Sequence, residues 1–164
     1  MQEIHAQQAL MPQGWVSDLR LTIEAGRIAR LSHGAAEGLP SVDMLLPAPV
    51  NLHSHAFQRA MAGLTETRGP DPRDSFWTWR RLMYRFLDRL TPEHVQAIAE
   101  LVFMEMLEAG YGAVAEFHYL HHDIGGVPYA TLPEMAQRIT TAAQGAGLGL
   151  TLLPVLYMQG GCDG

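Results

Sequence analysis

From residue 50 onward the chain alternates short apolar segments with longer segments of helical character, and this alternation limits its fold more than any other feature. Segments 50–54, 112–118 and 148–155 have the length and apolar content of buried strands. Repeated strand–helix units predict an α/β fold with a parallel sheet, because parallel neighbours need a long crossover between them. A complete (β/α)8 TIM barrel requires roughly 200 residues or more, so we expect about the first three βα units of such a barrel.

The first intervening helix is predicted to follow Asp74 and Ser75, which are residue types that cap helices. Apolar side chains then recur every three or four positions, which predicts one buried face. The residues of that face are Phe76, Trp79, Leu82, Met83 and Phe86.

The next two helices have recognisable start and stop signals. Thr91 followed by proline marks the start of one helix, and Gly110 marks its end. Thr131 with Glu134 three positions later fits a capping box, which would start the other helix. That helix is predicted to end near residues 145–147.

The N-terminal segment has the pattern of a small β unit. Leu19, Leu21 and Ile23 alternate with polar positions, as expected of a half-buried strand. Gly26 follows in a predicted turn, where glycine adopts positive φ without strain. Segment 33–43 is rich in Gly, Pro and Ser and is predicted to be a loop.

Two prolines, Pro47 and Pro49, mark the change from the β unit to the βα pattern. We therefore predict two domains. Residues 1–47 form a small β unit, and residues 48–164 form the first part of the barrel.

Composition excludes several classes of partner. The net charge is −6 and no basic cluster occurs, so nucleic acid is not an expected ligand. No apolar run reaches the roughly 18–20 residues that span a bilayer, and the N-terminus lacks the pattern of a signal peptide. Cys162 is the only cysteine in the sequence, so no intrachain disulfide forms and a reducing cytoplasm is the simplest compartment.

Two histidines separated by one residue, His53 and His55, lie at the end of the first predicted strand. Alternate side chains of a strand point to the same face, so both imidazoles can converge on one cation. Neutral imidazole is a favoured zinc ligand, and catalytic groups of parallel barrels gather at the carboxyl ends of strands. The spacing alone fits surface or packing histidines better than a metal site, because a lone short motif is only a hypothesis.

Three longer blocks, at 51–64, 74–80 and 115–123, resemble formiminoglutamate deiminases of the amidohydrolase superfamily. The apolar, proline-containing segment 46–50 is similar to the one that precedes the histidine pair in that superfamily. The β unit with its Gly26 turn resembles the superfamily's N-terminal β-sandwich portion. The resemblance covers nearly the whole chain.

The resemblance implies one divalent metal, bound by His53 and His55. Zinc is favoured, although imidazole also suits iron and nickel. It implies substrate contacts from Gln58, Arg80 and Tyr119. A guanidinium can hold a substrate carboxylate through paired hydrogen bonds, and the amide and the hydroxyl can bond near the reacting group.

The reaction implied by the resemblance is hydrolysis of N-formimino-L-glutamate to N-formyl-L-glutamate and ammonia. In the family, a third metal-binding histidine, a base histidine and a metal-binding aspartate come from later barrel strands. We therefore expect no catalytic base within these residues, and we expect the chain to be a fragment that is inactive alone. The full-length form is expected to be a cytoplasmic homodimer with a small-molecule substrate.

Without the resemblance, the proposed site residues have plainer interpretations. Arg80, next to Arg81 on a helix, would face solvent. Tyr119 would be a packed aromatic residue with a bonded hydroxyl, and Gln58 would have no role beyond starting a helix.

Two neighbouring groups of polar residues could be mistaken for further sites. Glu116 and His118 share one face of the second strand, where a satisfied buried polar network is the expected role. Segment 121–123, which reads His-His-Asp, is expected to be a βα loop and not a second metal site.

Three functional alternatives stay open. Another deaminase of the superfamily, acting on a cyclic amidine such as guanine, would share the histidine pair but would not need Arg80. A non-catalytic truncated protein could instead bind a partner through an exposed sheet edge. A metal carrier is the weakest alternative, because a single histidine pair gives little affinity.

Overall fold

The computed structural model describes residues 1–34, 37–65 and 76–158. The chain forms two compact units, one of them Met1–Ala48 and the other beginning at Pro49. The predicted helix cap at Asp74 and Ser75, and Cys162, lie outside the described residues. Within the described ranges, every helix is too short or too polar to cross a bilayer.

The first unit is a four-stranded mixed sheet with the order β3-β2-β1-β4. Strands β1 and β2 pair antiparallel, as do β2 and β3, whereas β4 pairs parallel with β1. The strands are β1 Gln2–Met11, β2 Gly14–Glu24, β3 Arg27–His33 and β4 Ser41–Leu45.

The predicted turn between β2 and β3 is confirmed. Ala25 and Gly26 both have positive φ, at 48° and 73°, which a two-residue hairpin of the favoured twist requires. Leu19 and Leu21 are buried, as the alternation predicts.

The loop predicted over 33–43 is wrong at both ends, because β3 includes His33 and β4 begins at Ser41. Strand β4 pairs with β1, and the side chains of His5 and Ser41 lie 3.0 Å apart across this pair. A parallel partner about 36 residues away leaves no local pattern in the sequence.

The second unit alternates strands and helices around a three-stranded parallel sheet with the order β5-β6-β7. The predicted α/β class and parallel sheet are therefore confirmed. The strands are β5 Val50–Ser54, β6 Ala113–His118 and β7 Gly149–Pro154. The α-helices are α1 Phe76–Leu87, α2 Pro92–Glu108 and α3 Glu134–Ala146, and short 3-10 turns occupy Ala56–Met61 and Ile124–Gly126.

Of the two helix starts predicted from threonine residues, one is confirmed and the other is wrong. Thr91 caps α2 as predicted, because its hydroxyl accepts from the backbone N–H of His94 at 3.3 Å. The capping box predicted at Thr131 is wrong, since Pro133 occupies the cap position without a side-chain bond. The Glu134 carboxylate instead accepts from Arg138 at 2.8 Å, one turn along α3.

Helix α1 buries less of its apolar face than the spacing predicts. Among its residues only Met83 is buried. Phe76 is 62% exposed, which contradicts its predicted burial. Phe76 and Trp79 line an open cavity, and Trp79 also packs, partly buried, against the core. Their periodicity therefore indicates a cavity wall as well as a core face.

Candidate metal and substrate site

The two histidines converge as their spacing predicts. The Nε2 atoms of His53 and His55 lie 3.0 Å apart, and their rings meet edge to face with centroids 4.6 Å apart. His55 directly follows β5, so the pair lies at the carboxyl end of a strand in the parallel sheet.

A bulge in β5 decides which side of the sheet the pair faces. Asn51 pairs with Val114 and Ser54 pairs with Glu116, so two residues of β5 oppose one residue of β6. Paired residues on neighbouring strands point to the same side, and Val114 and Glu116 are buried. The shift therefore turns His53 and His55 away from that buried side and toward the side of Phe117, whose ring lies 5.5 and 5.3 Å from theirs.

The imidazole of His55 is held in one tautomer. Its Nδ1 lies 3.0 Å from the carbonyl oxygen of Phe117, which can only accept a hydrogen bond, so Nδ1 carries the proton. The Nε2 lone pair is then free for a metal. Burial lowers the pKa of His55 and favours the neutral form that binds metals, although the bond to Phe117 acts in the opposite direction.

The pair fits half of a tetrahedral zinc site. Zinc–nitrogen bonds of about 2.0–2.1 Å at tetrahedral angles place two ligand nitrogens roughly 3.3 Å apart. The observed separation of 3.0 Å is close to that value. Across residues 1–34, 37–65 and 76–158, no further His, Cys, Asp or Glu joins the pair to make a set of three.

All five residues expected at the site line a single cavity of about 600 Å³. They come from three regions: the end of β5 and the turn after it, helix α1, and the residue after β6. The remaining wall is mainly aromatic and aliphatic. The cavity residues are His53, His55, Gln58, Phe76, Trp79, Arg80, Met83, Tyr84, Leu87, Phe117, Tyr119, Leu120 and Tyr157.

Gln58 and Tyr119 contact each other beside the histidines. The Gln58 amide donates to the Tyr119 hydroxyl at 3.4 Å, and the Tyr119 ring lies 5.2 Å from that of His55. Burial raises the pKa of Tyr119, so its hydroxyl stays protonated at neutral pH. The two side chains therefore offer hydrogen-bonding groups next to the imidazoles.

Arg80 contributes the cationic group of the cavity wall. Its guanidinium donates to the Tyr84 hydroxyl at 2.8 and 3.3 Å and lies over the rings of Trp77 and Tyr84. Its neighbour Arg81 is exposed and is not part of the wall. Sequence reasoning did not single out Tyr84, although its position one helical turn after Arg80 was a usable signal.

Glu116 and His118 form only part of the expected polar network. Both are buried, at 2% and 3% exposure. Glu116 accepts a hydrogen bond at 2.6 Å from the backbone N–H of Ala56. Among the residues that the structure describes, its second oxygen and the Nε2 of His118 have no hydrogen-bond partner. Neither side chain lines the cavity.

The buried His118 should make the fold sensitive to acid. Burial, with a smaller contribution from His121, lowers the pKa of His118 from 6.5 to about 4. As the pH is lowered, the unfolded chain therefore takes up this proton before the folded chain does. Between pH 6.5 and about pH 4, the free energy of unfolding should fall by at most about 1.4 kcal/mol for each pH unit. Urea unfolding followed by circular dichroism should show a shallower fall for His118→Gln. Parallel pH profiles for the two proteins would contradict this.

The side chains of His121 and Asp123, in segment 121–123, make structural hydrogen bonds. His121 Nε2 lies 2.8 Å from the carbonyl oxygen of Val155, next to β7. The Asp123 carboxylate accepts from the backbone N–H of Ile124 at 2.8 Å and caps a short 3-10 turn. These contacts fit the loop expected there.

Two family models match the chain. The model of the amidohydrolase family matches residues 44–154, which include all five site residues. The model of the N-terminal domain of formimidoylglutamate deiminase HutF matches residues 1–38.

Two curated proteins of Pseudomonas aeruginosa are similar to the chain. The formimidoylglutamate deiminase is 53% identical over 167 residues, which cover 100% of this chain and 37% of that protein. The 8-oxoguanine deaminase is 31% identical over 108 residues, which cover 61% of this chain and 23% of that protein. The chain thus spans little more than a third of the length of the first relative.

Two solved structures are also similar. The amidohydrolase from Brucella melitensis has a TM-score of 0.87 at 51% identity, covering 94% of this chain and 35% of that one. The atrazine chlorohydrolase TrzN from Arthrobacter aurescens, complexed with zinc and atraton, has a TM-score of 0.69 at 19% identity, with coverage of 93% and 35%. At that identity the second likeness concerns the fold alone.

Proposed function

Because the chain belongs to the amidohydrolase family, we propose that it supplies two metal ligands and part of the substrate pocket of a formiminoglutamate deiminase. The reaction is hydrolysis of N-formimino-L-glutamate to N-formyl-L-glutamate and ammonia. The observation that carries the proposal is the shared cavity, which brings a metal-binding pair, two hydrogen-bonding groups and a guanidinium together. The 53% identity to a formimidoylglutamate deiminase supports the same substrate.

The fold that we propose for the whole protein is a (β/α)8 barrel preceded by a small β-sandwich. Strands β5, β6 and β7 would be its first three parallel strands, and the sheet of the first unit would belong to the β-sandwich. The domain boundary at 47/48 is part of this proposal. The match of the amidohydrolase family model to residues 44–154 supports the barrel assignment.

His53 and His55 would hold one divalent metal through their Nε2 atoms, and zinc is the ion that we propose. A bound zinc ion would lower the pKa of a water molecule to roughly 7 and supply hydroxide at neutral pH. The chain's contribution is geometric: the Phe117 carbonyl fixes the tautomer of His55, and the Phe117 ring packs edge-on against the imidazole.

Arg80 would hold a carboxylate of the substrate, which carries two. A guanidinium offers paired donors for this purpose, and the Tyr84 hydroxyl and the neighbouring rings fix its orientation. Gln58 and Tyr119, close to His55, would hydrogen-bond the formimino group. The distance from the Arg80 guanidinium to the groups around His55 would then select a linear substrate of matching length.

The remaining metal ligands and the catalytic base would lie outside the described residues. Two imidazoles make up half of a usual tetrahedral set, so we propose that residues 1–164 alone do not turn over substrate. The partner that we propose is a small molecule, and we retain a cytoplasmic homodimer as a proposal for the whole protein.

The proposal is tested by ammonia release from the protein encoded by the complete reading frame. We expect hydrolysis of N-formimino-L-glutamate and negligible hydrolysis of guanine. Selective hydrolysis of guanine would support the second candidate, a ring deaminase. That candidate is favoured by the aromatic cavity wall and by the 31% identity to an 8-oxoguanine deaminase. Absence of both activities in a folded, zinc-loaded protein would favour the non-catalytic alternative.

Replacing Tyr84 with phenylalanine should weaken substrate binding moderately. The change removes the hydroxyl that orients Arg80 and keeps the ring beneath the guanidinium. Loss of this contact, in which the shorter of the two hydrogen bonds is worth about 0.5–1.5 kcal/mol, should raise KM for N-formimino-L-glutamate roughly two- to tenfold with little change in kcat. Steady-state kinetics would measure both constants. A lower kcat at unchanged KM would mean that Tyr84 acts on the chemical step.

A further inference from the structure

The Glu116 carboxylate is buried beside the end of β5, outside the cavity. Ser54 is its partner in the sheet register, immediately after the bulge that turns the histidine pair. Glu116 is 2% exposed, and burial raises the pKa of its carboxyl group. Burying a carboxyl group with one unpartnered oxygen costs free energy that an apolar side chain at this position would avoid. Its contacts therefore point to a role other than packing.

Glu116 interacts with both sequence neighbours of His55. Its Oε1 accepts from the N–H of Ala56, the residue after His55, at 2.6 Å. Ser54, the residue before His55, is paired with Glu116 in the sheet. Charge-assisted bonds of this length are among the stronger hydrogen bonds in proteins.

The next residue of β6 holds the imidazole itself. The Phe117 carbonyl oxygen lies 3.0 Å from Nδ1 of His55. Two consecutive residues of β6 thus contact His55 and both of its sequence neighbours. If the Glu116 bond were lost, Ala56 could shift, and the distance from Nδ1 to the Phe117 carbonyl would no longer be fixed.

We propose that Glu116 is a positioning residue that holds the His55 imidazole in the orientation and tautomer required for metal binding. This inference rests on the proposed function, because it assumes that the pair binds a metal. Glu116 acts through its bond to Ala56 and does not line the cavity. Partners of this kind typically change metal affinity by about 10–100-fold when they are removed.

The test compares Glu116→Ala with Glu116→Gln in the full-length protein. Affinity for Co²⁺ is measured by chelator competition, and the tautomer of His55 is measured in the metal-free protein by long-range ¹H–¹⁵N NMR. We expect Glu116→Ala to raise the Kd for Co²⁺ by about 10–100-fold and to mix the tautomers. Glu116→Gln should restore both values toward those of the unaltered protein, because its amide oxygen can still accept from Ala56.

His118→Ala is the matched control, since His118 is equally buried on the same face of β6 and its Nε2 has no hydrogen-bond partner within the described ranges. It should lower the melting temperature without changing the Kd or the tautomer. If His118→Ala weakens Co²⁺ binding as much as Glu116→Ala, general destabilisation explains the effect and the inference is wrong. An unchanged Kd and a single tautomer in Glu116→Ala would also overturn it.

Two further outcomes separate this inference from the proposed function. If the unaltered protein binds no Co²⁺, the proposed metal site fails, and the NMR comparison alone then decides whether Glu116 fixes the imidazole. If Glu116→Ala does not fold, Glu116→Asp replaces it, because the shorter side chain keeps the charge but withdraws the carboxylate from Ala56. The same Kd and tautomer are then measured for that variant.

Discussion

Replacing His55 with alanine should abolish retention of the metal and lower ammonia release from N-formimino-L-glutamate by at least about 10³-fold. The bound metal contributes several kcal/mol to the reaction, and each 1.4 kcal/mol corresponds to about a tenfold change in rate. His55 supplies one of the two convergent nitrogens in the described part of the chain. Metal content after gel filtration and initial rates of ammonia release would measure the two effects.

His33→Ala is the control for this variant. His33 lies on β3, is exposed and does not line the cavity. It should keep the metal content and the rate of the unaltered protein. Full metal occupancy in His55→Ala would show that the pair is not the metal site.

Replacing Arg80 with methionine should raise KM for N-formimino-L-glutamate by about 100-fold, because loss of a hydrogen-bonded charge pair commonly costs about 2–5 kcal/mol. Methionine keeps much of the apolar stem and removes the guanidinium that Tyr84 orients. The lost bond would hold substrate and transition state alike, so kcat should change little. Steady-state kinetics with the full-length protein would provide both constants.

Arg81→Met is the matched control, since Arg81 is exposed on the same helix and is not part of the cavity wall. Its kinetic constants should equal those of the unaltered protein. An unchanged KM in Arg80→Met would remove the basis for a dicarboxylate substrate. Guanine turnover that survives the same change would then favour the ring deaminase.

The sequence predicted the features that depend on local pattern. Strands β5, β6 and β7 follow from short apolar runs, and the start of α2 follows from the Thr91-Pro92 cap. Convergence of His53 and His55 follows from their two-residue spacing. Each of these features is determined by residues within a few positions of one another, so a local sequence pattern is enough to predict it.

Features that depend on distant partners were missed. The parallel pairing of β4 with β1 joins segments about 36 residues apart, and the bond from Ala56 to Glu116 spans 60 positions. The periodicity of α1 predicted burial but could not distinguish a closed core from a cavity wall, so Phe76 was misassigned. The roles of the five site residues came from family resemblance, and their common cavity adds a spatial argument for them.

The bulge in β5 makes the site sensitive to strand register as well as to side-chain identity. A β5 strand of the same length that paired regularly with β6 from Asn51 onward would bring His53 opposite Glu116. Both imidazoles would then turn toward the helices, because a one-residue slip moves every side chain of a strand to its other face. A variant protein could thus keep both histidines and still lose the paired imidazoles as a metal site if β5 lost its bulge.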